Sequence, residues 1–89
     1  MKAQLIIYQL EDLTDNAAII EKIKSFSKWA KVMDNCWIVI TDQTSGTIRD
    51  ELRVSIGKKG SVLVVNVTGQ GWGTFKISKE VTDWMTSRI

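Results

Sequence analysis

Eighty-nine residues, 44% of them hydrophobic and 25% charged, describe one small folded domain and exclude a disordered, collagen-like or low-complexity chain. Twelve Lys and Arg against ten Asp and Glu leave a net charge of +2, too small an excess to imply a nucleic-acid partner by itself. With no His and one Cys, the composition excludes Ser–His and Cys–His catalysis, zinc sites built on His or several Cys, and any internal disulfide.

Residues 3–8 predict a first strand, with Leu5 and Ile7 on one side and Gln4, Ile6 and Tyr8 on the other. Apolar density on both sides marks it as a central strand. Glu11 to Asn16 is a polar loop rich in residues that cap helices. From Ala17 to Ser27, Ile19, Ile20, Ile23 and Phe26 recur at helical spacing, with Glu21, Lys22 and Lys24 toward water. Trp29 to Met33 predicts a second strand with Trp29, Lys31 and Met33 sharing a side. Asp34-Asn35 is turn chemistry, and Trp37 to Thr41 a third strand, so that the pair reads as a hairpin. Cys36 begins the apolar run of that strand and reads as a small buried hydrophobe rather than a reactive thiol.

Asp42 to Gly46 offers several helix caps, and Thr47 to Ile56 places Ile48, Leu52 and Ile56 in one apolar stripe. Gly57 suits the left-handed position that ends this second helix. Ser61 to Val67 is the fourth strand. A glycine-rich loop, Thr68 to Gly73, follows, in which Trp72 is expected to reach back over apolar surface. Thr74 to Ile77 suggests a short edge strand, and Ser78 a cap for a last helix with Val81, Trp84 and Met85 on one face.

The expected architecture is therefore α+β: a ferredoxin-like βαββαβ domain, its four-stranded antiparallel sheet carrying two helices on one face. Residues 1–67 form the core of this single domain, and residues 68–89 a C-terminal extension with the short edge strand and the last helix. A domain of this size buries only roughly 60–65% of its unfolded surface, which makes pairing with a second copy advantageous. Met1-Lys2-Ala3-Gln4-Leu5 has no secretory layout and no apolar run is long enough to span a membrane, so the expected setting is cytoplasmic.

Only carboxylate chemistry through Mg²⁺ or Mn²⁺ survives the composition. Glu11 and Asp12 follow the first strand, and Asp42 the third. With strand order 4-1-3-2 these two strands lie side by side and run antiparallel, so Asp42 cannot join Glu11 and Asp12 within one copy. Carboxylates paired across a two-fold axis are the open alternative, against helix capping and solvation. The segment Gly69-Gln70-Gly71-Trp72-Gly73 lacks the spacing of a phosphate-binding loop. Lys31, Arg49, Arg53, Lys58 and Lys59 are the candidate phosphate contacts. Trp29, Trp37 and Trp72 offer stacking faces for bases, against the commoner use of Trp in cores and interfaces.

Asp34-Asn35-Cys36-Trp37-Ile38-Val39, Thr41-Asp42, Ile48-Arg49-Asp50-Glu51-Leu52, Val62-Leu63-Val64-Val65 and Thr68-Gly69…Trp72 form an ordered series. The series, spanning roughly residues 5–85, resembles the SinR-like proteins, small relatives of CRISPR-associated protein 2. The resemblance implies a ferredoxin-like fold and a homodimer, which in the CRISPR-associated members bridges other subunits and duplex DNA. In some members it implies a metal-dependent endonuclease whose ligand is an aspartate just after a tyrosine at the end of the first strand. Here Tyr8 is followed by Gln9, a neutral amide that keeps an oxygen ligand but loses the charge that holds Mg²⁺. Gln9 and Asp12 are then the weak metal candidates, and Glu11 and Asp12 the weak catalytic ones.

The expectation is a homodimeric module without catalytic power and without a cofactor, binding nucleic acid or scaffolding partner proteins. Its rivals are an endonuclease that needs Mg²⁺ or Mn²⁺, and an inhibitor or antitoxin-like partner that acts on protein alone by strand addition.

Overall fold

The computed structural model describes residues 1–11, 16–58 and 60–89, and its elements follow the hydrophobic periodicities of the chain. They are β1 (Lys2–Leu10), α1 (Ala17–Lys24), β2 (Lys28–Met33), β3 (Cys36–Thr41), α2 (Ser45–Ile56), β4 (Gly60–Asn66) and α3 (Lys79–Arg88). The strands form one antiparallel sheet in the order β2-β3-β1-β4, which is the expected 4-1-3-2 order read from the other edge. β1 is central as its two-sided apolar pattern requires, and β2 and β4 are the edges.

The first sheet face is covered by α1 and α2 except at its β2 edge. Ile6 and Tyr8 of β1 and Trp37 and Val39 of β3 meet Ile19 and Ile23 of α1 and Ile48 and Leu52 of α2 in one buried cluster. Each helix brings residues four apart, which is the spacing that keeps them on one side. Gln4 is fully buried at the margin of this layer and is satisfied there: its Nε2 donates to the Gln43 carbonyl (3.2 Å) and its Oε1 accepts from Ser45 Oγ (2.7 Å). The bond ties β1 to the start of α2, where Thr44 Oγ1 caps the helix by accepting from the Thr47 N–H.

The second face is covered only in part. Residues directly paired across the strands share a side, so three rows run across this face: Lys28–Ile40–Ala3, Ala30–Ile38–Leu5–Val65, and Met33–Cys36–Ile7–Leu63. α3 folds back over the first two, where Met85, Val81 and Trp84 pack on Ala3, Ile38, Ile40 and Leu5. The third row lies beyond that cluster, and Met33, Ile7 and Leu63 are 54%, 40% and 57% exposed.

Four expectations need correction. Thr74–Ile77 is not a strand: Lys76 takes a left-handed φ of 59°, which breaks an extended run. α1 ends at Lys24, because Ser25 to Ser27 turn the chain sharply into β2. α2 starts two residues before Thr47, where Thr44 supplies the cap. A register shift between Lys31 and Met33 moves Met33 off the side of Trp29 and Lys31 and sets it opposite Cys36. Asn35, with φ of 63°, supplies the left-handed residue of the β2–β3 turn, as its side-chain chemistry predicts.

Candidate functional site

Three places gather the residues that could do chemistry. The first is the C-terminal end of β1. Tyr8 is buried on the helix side, so Gln9 turns to the opposite side, is exposed, and pairs with Ser61 of β4. Gln9, Leu10, Glu11, Gly60 and Ser61 line a shallow groove of about 250 Å³. Gly60 is obligatory there, because a Cβ on it would lie 2.6 Å from the Gln9 carbonyl oxygen. Asp42 sits at the far end of β1, 3.8 Å from the N-terminal ammonium of Met1. Nine residues of strand at about 3.3 Å each separate it from Glu11 by roughly 30 Å. The two carboxylates are apart, as antiparallel strands require. Asp12 falls outside the described residues.

Among the described residues this groove brings one carboxylate, Glu11, and one neutral amide, Gln9, a poor set for a divalent cation. Among the described residues no three His, Cys, Asp or Glu side chains converge anywhere.

The second place is the exposed side of α2. Arg49 and Arg53, one turn apart, line a groove of about 290 Å³ with Ile56, Gly57 and the first residues of β4. It adjoins the Gln9–Glu11 groove at Gly60 and Ser61. Asp50 mutes this patch: Arg49 Nε and Nη2 both donate to its Oδ1 (3.0 and 2.9 Å), and Arg53 Nη1 stands 3.9 Å away. Lys58 is exposed next to Gly57, and Lys59 lies outside the described residues.

The third place is the β2 edge, and the structure sends Lys31 here. β2 and β4 are three strand spacings apart, so Lys31 is roughly 14 Å or more from the Arg49–Arg53 groove and cannot share a ligand phosphate with it. It joins Trp29 and Trp37, both expected as stacking faces, and Lys24, which sequence reasoning missed. The Trp29 and Trp37 rings lie 5.5 Å apart at a 57° tilt. The Lys24 ammonium stands 5.2 Å from the Trp29 ring centre and 6.0 Å from that of Trp37, and Lys31 is 5.9 Å from Trp37. Trp37 is core, as its neighbours dictate, yet its buried Nε1 has no hydrogen-bond partner. Trp29 keeps 38% of its surface in solvent. The available signal was the run Lys22-Ile23-Lys24-Ser25-Phe26-Ser27-Lys28-Trp29-Ala30-Lys31, with four cations and no acid.

Trp72 lines an apolar groove of about 280 Å³ over the second sheet face, with Val32, Met33, Phe75 and Met85, and so does reach back over apolar surface. Cys36 is buried, and burial raises its thiol pKa above the ordinary value, the opposite of an activated nucleophile. No helix among the described residues is long and apolar enough to cross a membrane.

Compared with protein-family models, with curated proteins and with solved structures, the chain matches none.

Proposed function

We propose that this chain is a homodimeric binding module with the ferredoxin-like fold, of the SinR type related to CRISPR-associated protein 2, that holds nucleic acid without cutting it. The observation that carries the reading is the half-open sheet face beside the β4 edge. Met33, Cys36, Ile7 and Leu63 form one apolar row across all four strands, continued by Val65, which is 39% exposed. Scattered surface hydrophobes are ordinary, but a contiguous row on a flat face marks an interface.

The edge beside it is equally suggestive. An open strand edge is normally blunted by charge. β2 carries Lys28 and Lys31, whereas Gly60–Asn66 of β4 carries no charge at all. With Trp72 and Phe75, 41% and 82% exposed, the uncovered side chains amount to roughly 600 Å² at about 150–250 Å² for a large side chain. That approaches the about 800 Å² per partner of a standard interface. A second copy meeting this face through a two-fold axis covers all of it at once.

Gln9 at the end of β1 supports the non-catalytic part of the reading, because it puts an amide where metal chemistry needs a carboxylate. One observation favours the endonuclease instead, namely the groove of Gln9 and Glu11 adjoining that of Arg49 and Arg53. Incubation of labelled single- and double-stranded RNA and DNA with Mg²⁺ or Mn²⁺ separates the two. Intact substrate is the expected result. Metal-dependent cleavage that Glu11→Gln abolishes overturns it.

A further inference from the structure

We infer that the β2 edge binds single-stranded nucleic acid, with Trp29 as the stacking platform and Lys24 and Lys31 as phosphate contacts. The inference rests on reading the chain as a nucleic-acid-binding module and names the strand type it takes and the surface that takes it.

Trp29 is the deciding residue. It sits on an edge strand, on the helix side of the sheet, yet the helix layer leaves more than a third of it in water. The Trp37 ring packs against it and fixes its position, so the indole is both exposed and held. An aromatic surface of that kind gains by stacking a base, and every base has a face that suits it. Bases in a duplex are already stacked on one another, so the platform selects unpaired strands.

The charges are placed to deliver such a strand. The Lys24 ammonium stands 5.2 Å from the Trp29 ring centre, and in the proposed complex this flexible side chain swings off the ring face to hold the phosphate of the base that stacks there. Lys28 immediately precedes Trp29 but belongs to the other face, in the row of Ile40 and Ala3, and stands outside the site. Lys31 is held by Asp34 at 3.2 Å, but Asp34 is 96% exposed, and a pair so well solvated is weak and yields to a phosphate. Among the described residues Lys24 has no carboxylate within ion-pair distance. Lys22 stands outside the site, 3.3 Å from Glu51. The α2 patch offers cations but no aromatic ring in its lining, and it shares its two arginines with Asp50.

Lysines on an edge strand also deter unwanted strand pairing. That role asks nothing of Trp29, and the difference makes the inference testable. Fluorescence anisotropy of end-labelled dT12, U12 and a 12-base-pair duplex is measured at 50 mM salt on the full chain, with Trp29→Ala, Trp29→Phe, Lys24→Glu and Arg49→Glu/Arg53→Glu. The expected result is retention of both single strands ahead of the duplex. Trp29→Ala weakens it on the order of tenfold or more and Trp29→Phe largely restores it. Lys24→Glu weakens binding and flattens its salt dependence, since each single-strand phosphate contact contributes about 0.7 to the logarithmic slope. A preference between dT12 and U12 assigns the natural strand to DNA or RNA. Binding that survives Trp29→Ala but is lost in the double arginine variant overturns this site and leaves the nucleic-acid reading standing. Equal affinity for the duplex overturns the single-strand assignment. Absence of retention by the wild-type chain overturns both.

Discussion

β2 and β4 close the same sheet at its two edges, and their sequences could hardly be less alike. β2 reads Lys-Trp-Ala-Lys-Val-Met and β4 reads Gly-Ser-Val-Leu-Val-Val-Asn. Each leaves its outer backbone groups without a strand neighbour among the described residues. Charge repels a second strand and attracts phosphate, whereas an uncharged edge beside an exposed apolar row invites another copy of itself. On the proposed reading, one edge of the sheet takes a ligand and the other a second copy.

The comparison can be broken at several points. Leu52→Ala acts on the layer that supports both edges. It empties a fully buried site between α2 and the sheet and is expected to lower unfolding free energy by about 2–5 kcal/mol in urea titration. Gly60→Ala strikes only the β4 side. Its Cβ would press on the Gln9 carbonyl, a backbone atom that cannot swing away. A loss of about 1–3 kcal/mol is expected by the same titration, with the β2 edge undisturbed. Lys31→Ala removes an exposed ion pair with Asp34, and stability should stay within about 0.5 kcal/mol while single-strand affinity falls.

The smallest effect concerns Cys36. Its pKa is raised in the fold by burial, so the stability it contributes is whole below about pH 9 and declines as pH rises further, when only the unfolded thiol ionises readily. Cys36→Ala should remove that part of the alkaline decline seen when urea midpoints are compared at neutral and alkaline pH.

Local periodicity made most of the fold legible. Ile19, Ile23, Ile48 and Leu52 were found by helical spacing, and all are buried. Asn35 was found by turn chemistry, and Ser78 by its cap, whose Oγ accepts from the Val81 N–H. Long-range packing was harder to read. Nothing in Val81, Trp84 and Met85 says which sheet face they will meet, and that choice leaves the Met33–Leu63 row open. The bulge beside Met33 has no residue signature, and it reversed the side on which that residue lies.

The basic residues show the same division. Lys31, Arg49 and Arg53 look alike in sequence, but the strand order sends Lys31 to one edge and the arginines to the other. Arg49 and Arg53 were recognised as cations, while their sharing of Asp50 depends on rotamers that sequence does not specify. Lys24 gained importance only when the α1–β2 turn set it over a ring five residues ahead.

The most direct measurement is sedimentation equilibrium of the wild-type chain beside Leu63→Lys, a substitution that gives β4 the kind of charge β2 already carries. Leu63 is 57% exposed, so the fold should tolerate the change, and circular dichroism of the two proteins should coincide. The account predicts a wild-type dimer and a monomeric, folded Leu63→Lys. A wild-type chain that sediments as a monomer at tens of micromolar, or a variant as dimeric as its parent, would contradict it.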